Sequence, residues 1–180
     1  MPEGFDRAKL IREKLDKAEE QAIMSLSLIR EMVLEYLLVV KGYSRDEIEP
    51  DRAFEITVDD KAEKTAVDYV IRIDGKRFMV IKCSPGALES RERHLVSFAR
   101  VVDEYQIPYA LLTDGVKARL LDTLTGALIS EGLNSIPERL QAGEMVKVAE
   151  FIPYPRERME REKRILLAFD TIKCTEESCE

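Results

Sequence analysis

Asp74-Gly75 is the dipeptide that most narrows what this chain can fold into. Apolar, β-branched runs flank it on both sides, within AVDYVIRIDGKRFMVIKCSPG from Ala66 to Gly86. Asp-Gly between such runs favours the left-handed backbone of a two-residue hairpin loop. With these two as the loop, Ile73 pairs with Lys76, and continuing the ladder sets Asp68 opposite Ile81. Side chains alternate along strands, so Asp68, Val70, Met79 and Ile81 are expected on one face, with Val67, Tyr69, Phe78, Val80 and Lys82 on the other. Asp68 is then the one carboxylate inside an apolar strand, and an ionised group is costly to bury unless something compensates it.

The hairpin has recognisable neighbours. Phe54–Val58 alternates and is bounded by Asp59-Asp60, which predicts a preceding strand. Ser84-Pro85-Gly86 turns into a helix from about Leu88 to Tyr105, with Leu88, Leu95, Phe98, Val102 and Tyr105 as its buried stripe. On a helical wheel Arg91 falls within that stripe, Glu92 borders it, and Glu89, Arg93 and Arg100 point away. His94 falls to the side, in solvent. Arg91 should hang near the end of the hairpin, as an ion-pair partner for Asp68 or Glu55 or as a phosphate ligand. Tyr109–Thr113 is a fully apolar strand of the kind buried mid-sheet, and Ala118–Leu121 with Ala127–Ser130 forms a second hairpin. Pro137 is placed at the first position of a short helix.

Helices bracket this core. Residues 5–40 contain no Gly or Pro and read as one long helix or two, ending at Gly42 as a C-cap, before a Ser44–Glu47 capping box. Ile11, Leu15, Ala18, Ala22, Ser25, Ile29, Met32 and Tyr36 recur at heptad-like spacing. That stripe is either a face laid along the chain's own domain or a dimer seam. After the linker marked by Pro153 and Pro155, Arg156–Asp170 is expected as an amphipathic helix, and the last seven residues, CTEESCE, as a disordered tail. The expected organisation is a helical extension over 1–23, a core domain over 24–150, and a C-terminal helix and tail over 151–180. The fold class is α/β: a mixed sheet flanked by helices, with extra helices at both ends.

Composition bounds the function. The chain has 180 residues and a net charge of −7, of which −1 falls on residues 1–22 and −1 on residues 151–180. The central region is therefore acidic, which argues against tight autonomous DNA binding, since phosphate neutralisation drives most nonspecific affinity. No apolar run reaches the roughly 18 to 20 residues of a membrane span, and the N-terminus lacks a signal-peptide pattern. With three cysteines and no disulfide framework, the cytoplasm is the expected location.

An Asp in one hairpin strand, then an apolar strand ending just before Pro-Gly and a long helix, resembles the PD-(D/E)XK nuclease core. The closest variant is the N-terminal nuclease domain of type I restriction enzyme motor subunits and its stand-alone prokaryotic relatives. Ile29-Arg30-Glu31, about twelve residues before Gly42-Tyr43, is similar to that family's Val-Arg-Gln helix ending in Gly-Tyr. Ile107-Pro108-Tyr109 running into Thr113-Asp114-Gly115 is similar to its next strand, and the resemblance covers roughly residues 24 to 136. It implies a restriction-endonuclease-like sheet and Mg²⁺-dependent DNA cleavage. It also implies a Glu-x-Lys at the end of the second hairpin strand, where this chain has Ile81-Lys82-Cys83. The Glu that precedes Val-Arg-Gln falls near Leu26 or Ser27.

Of the catalytic set only Asp68 is plainly present. Metal-dependent phosphodiester cleavage needs further carboxylates to hold Mg²⁺ and a Lys to act on the water. Lys82 lies on the far face unless a bulge turns it, and Glu92 is the candidate relocated ligand. The expected function is a catalytically degenerate nuclease-fold protein, a DNA-associated binding or assembly module that needs no cofactor. Asp68 would then be held by Arg91 or by strand-end amides, with Arg30 and Glu55 as further binding candidates. The alternative is an active Mg²⁺-dependent endonuclease with Asp68 and Glu92 as ligands and Lys82 beside them. Cys83 reads as a buried, inert thiol, because a reactive one needs a basic partner. Nucleic acid and a second copy of the chain are the expected partners.

Overall fold

A computed structural model describes the backbone of residues 7–177 and, within its helices and strands, the side chains of residues 12–17 and 25–170. Both loop residues of the hairpin adopt the left-handed conformation, with φ of 50° at Asp74 and 80° at Gly75, as a two-residue turn requires. The turn joins β2 (Lys61–Ile73) to β3 (Lys76–Cys83). Beyond Arg72↔Arg77 the ladder slips by one residue, so Ile71 pairs with Met79 and Tyr69 with Ile81. Ile81 is therefore not opposite Asp68, contrary to the uninterrupted ladder. The cause is a β-bulge at Phe78, which lets Phe78 and Met79, consecutive residues, fill the same core.

Among the described residues the fold is α/β, a mixed sheet of six strands in the order β1-β2-β3-β4-β5-β6. The others are β1 (Ile48–Val58), β4 (Tyr109–Thr113), β5 (Ala118–Asp122) and β6 (Leu128–Glu131). Only β3 and β4 run parallel, and α2 (Glu92–Val101) makes the crossover between them. Helices cover both faces. On one, α1 (Arg7–Glu35) continues through a π turn, Tyr36–Val40, and buries Ile29, Val33 and Leu37 against Tyr69, Ile71 and Ile81. On the other, α2 and α4 (Arg156–Glu177) bury Leu95, Phe98 and Leu166 against Val70, Val80 and Leu112. Each such side chain contributes about 1.5–3 kcal/mol of hydrophobic stabilisation. Burial on both sides explains why β4 is apolar without alternation, with Leu111 in one core and Leu112 in the other.

Several boundaries differ from the sequence expectation. The first strand begins at Ile48 rather than Phe54. The crossover helix ends at Val101, short of Tyr105, because the chain turns back so that the Ile107 N–H donates to the Ala99 carbonyl at 2.8 Å. Pro137 precedes Glu138, the N-cap of α3 (Arg139–Val148), rather than opening the helix. Helix α4 runs past Asp170 to Glu177, into the stretch expected as a tail, and residues 178–180 lie outside the described residues. Of the heptad stripe, Ile29 is buried and Leu15 and Met32 are exposed, while the side chains of Ile11, Ala18 and Ala22 lie outside the described residues. Among the described residues no helix is long and apolar enough to cross a membrane.

Candidate functional site

Asp68 sits where β2 turns about its own axis. Val67 packs in the core under α2 and Tyr69, two residues on, packs in the core under α1. At the same level β3 parts from β2: its last pairing with β2 is Ile81, and Lys82 and Cys83 pair only with β4. The Cys83 N–H, freed from the ladder, donates to Asp68 Oδ2 at 2.8 Å. A strand-end amide thus compensates the buried carboxylate, one of the two arrangements the sequence allowed.

Two cations complete its surroundings. Arg30 of α1 brings Nε to 3.2 Å from Asp68 Oδ1, while its Nη2 binds Asp51. The Nε–H is not aligned on the oxygen, so the contact with Asp68 is one of charge rather than a hydrogen bond. The Tyr69 hydroxyl donates to the Arg30 carbonyl at 2.7 Å and so ties this turn of α1 to the strand carrying Asp68. Lys82 Nζ lies 3.5 Å from Asp68 Oδ2. The bulge explains its reach, since the slipped register puts Lys82, not Ile81, level with Asp68.

Four expectations about neighbouring side chains are corrected. Arg91 does not bind Asp68 or Glu55: it makes no ion pair among the described residues, and Glu55 is exposed on β1. The short 3₁₀ turn Glu89–Arg91 before α2 rotates Arg91 out of the helical frame on which its placement rested. Glu92 is not brought to Asp68 either. It binds Arg119 of β5 through Nε at 2.5 Å, and Lys82, Leu112 and Arg119 stand in register across β3, β4 and β5. That is three strand spacings from Asp68, roughly 14 Å. His94, expected in solvent, is 2% exposed, with Nε2 2.9 Å from Asp170 Oδ1 and its ring against Phe169. Arg93 and Arg100, expected to point away, both turn to Glu162 of α4.

Glu162 is the charged centre that the sequence did not reveal. It is 3% exposed and accepts two hydrogen bonds from Arg93 (2.8 and 2.6 Å), one from Ser97 (2.8 Å), one from Tyr154 (3.1 Å) and a longer one from Arg100 (3.5 Å). Burial pushes its pKa up, but the hydrogen bonds of Arg93 and Ser97 and the charges of Arg93 and Arg100 outweigh that and hold it below the usual glutamate value. The one available signal was the spacing of Arg93, Ser97 and Arg100 along one side of α2, a polar line matching a buried acid on another helix.

The chemistry open to the Asp68 cluster follows from its donors. Burial, and then the charge of Asp68, push the Cys83 thiol up to about 12, with Lys82 and Arg30 opposing, so the sulfur is a protonated core atom rather than a nucleophile. Mg²⁺ takes hard oxygen ligands and parts reluctantly with its water, so it usually needs more than one anionic group. Here one Asp68 oxygen accepts from an amide and neighbours Lys82, and the other faces Arg30, whose second carboxylate is Asp51. Among the described residues no three His, Cys, Asp or Glu side chains converge. The donor set does not fit a Mg²⁺ ion.

No curated protein and no solved structure matches the chain. The family described as Type I restriction enzyme R protein N terminus matches residues 27–137, which take in Arg30, the six strands, Asp68, Lys82 and the crossover helix. The match leaves α3 and α4 outside and spans most of the sheet-forming chain, so the protein belongs to the family of type I restriction enzyme R protein N termini.

Proposed function

We propose that the chain is a nuclease-fold module without metal-dependent cleavage, serving as a binding or assembly element of a DNA-associated complex in the cytoplasm. The observation that carries this reading is the occupancy of Asp68, with its two oxygens facing Arg30 on one side and the Cys83 amide and Lys82 on the other. A carboxylate neutralised from within is a good fixed point for a strand end and a poor ligand for a dication. The net charge of −7 weighs against DNA being gripped by this chain alone, which favours DNA contact through a partner.

One feature favours a second reading, a residual Mg²⁺-dependent DNA endonuclease: Lys82 stands beside Asp68, a pairing the nuclease chemistry would use. Calorimetry with Mg²⁺ and Mn²⁺, paired with a plasmid-nicking assay, separates the two. The first reading expects no saturable metal binding at millimolar concentrations and no nicking. Metal-dependent nicking by the wild type, abolished by Asp68→Ala, would overturn it.

A further inference from the structure

Helix α1 is longer than the domain it covers. Burial against the sheet begins near Leu26, yet the helix starts at Arg7, and the described side chains of residues 12–17 are all exposed. A helical segment of this length is marginal in water without packing, since most helical stability in proteins comes from a covered apolar face. The exposed surface also carries apolar groups where a covering would fall. Leu15 is 58% exposed and Met32 45%, and within the π turn Val39 is 74% exposed. Met32, Glu35, Tyr36, Val39 and Val40 line one shallow concavity of about 250 Å³. Leu15, Ala18, Ala22, Ser25, Met32, Tyr36 and Val39 fall at a and d positions of one heptad register, in which the intervening Ile29 is turned into the chain's own core.

Charge selects the occupant. Residues 7–17 carry five basic groups (Arg7, Lys9, Arg12, Lys14, Lys17) against two acidic ones, and residues 18–35 carry four acidic groups (Glu19, Glu20, Glu31, Glu35) against Arg30 alone. The helix is therefore complementary to itself run in the opposite direction, and repels itself run in the same direction. We propose that α1 is the seam of an antiparallel homodimer, the basic half of each helix lying on the acidic, apolar-lined half of its partner. The seam draws on no property of Asp68 and stands whether or not the chain cleaves DNA.

Sedimentation velocity on the full chain tests this. The wild type is expected at twice the chain mass at tens of micromolar, and a monomer there would overturn the proposal. Met32→Glu with Val39→Glu, both at exposed positions, should raise the dimer dissociation constant by about tenfold or more while circular dichroism stays unchanged. A dimer indifferent to both substitutions would locate the contact elsewhere. Orientation is read from charge reversal. Glu31→Lys with Glu35→Lys should weaken an antiparallel pair, and adding Lys14→Glu with Lys17→Glu should restore it. If the first pair of reversals leaves the dimer unchanged, as like-for-like facing halves would, the helices do not run antiparallel and the proposal fails.

Discussion

Two buried carboxylates, Asp68 and Glu162, are each held by cations from a neighbouring element, yet they are built differently. Glu162 accepts five hydrogen bonds, two of them from a single guanidinium at 2.6 and 2.8 Å. Asp68 accepts one, from a backbone amide, and its cations stand off at 3.2 and 3.5 Å, one of them shared with Asp51. A fork-to-carboxylate pair with further donors has the geometry that offsets desolvation, whereas loose charge contacts recover less of it. Glu162 reads as a clamp between α2 and α4. Asp68 is instead neutralised more loosely, by Arg30, Lys82 and the Cys83 amide at the end of β3.

The largest test of that contrast removes the clamp. Glu162→Ala should cost about 3 kcal/mol in urea denaturation, because it strands Arg93 and Arg100 and empties a buried acceptor. A loss below that of Arg30→Ala would break the comparison. Arg30→Ala comes next, at about 1–2 kcal/mol, since Asp68 keeps the Cys83 amide and Lys82.

The acid limb sharpens the same point. The folded pKa of Glu162 lies below the ordinary 4.5, so the unfolded chain takes up this proton first as pH falls. The group therefore adds stability above about pH 4.5 that is lost as pH drops through its folded value. Glu162→Gln should flatten the stability curve below about pH 4.5, and a curve parallel to the wild type would mean that the carboxylate charge contributes little. The smallest effect is expected at Arg91, which pairs with nothing among the described residues. Arg91→Ala should change stability by no more than about 0.5 kcal/mol and Arg93→Ala by more, as thermal melts would show.

Much of this was legible from local patterns. The Asp-Gly turn, the apolar β4 and the second hairpin all depend on signals a few residues long. The corrections share a different physics. The Phe78 bulge has no signature of its own, being chosen by how the core fills, and it moved Lys82 to Asp68 by one residue of register. Arg93, His94 and Arg100 were misread because a helical wheel knows its own axis but not that a second helix arrives from about 60 residues or more downstream to cover its side. Arg30 was legible as part of a family-like motif, though its partner was not, because that pairing depends on where α1 crosses the strand end.

The reach of α4 has a consequence for the protein's synthesis. Its contacts with the body of the fold span long stretches of chain: Thr65 donates to Asp170, Arg164 to Asp59 and Lys163 to the Thr57 carbonyl, each across more than 100 residues. A nascent chain leaving the ribosome in order has β1, β2 and α2 outside long before Leu166 and Glu162 emerge. Through that interval the side of α2 that α4 covers is bare, with Arg93 and Arg100 lacking their shared acid. Cotranslational exposure of this face, rather than of the β2–β3 hairpin, is where a chaperone or an aggregation event would meet the chain.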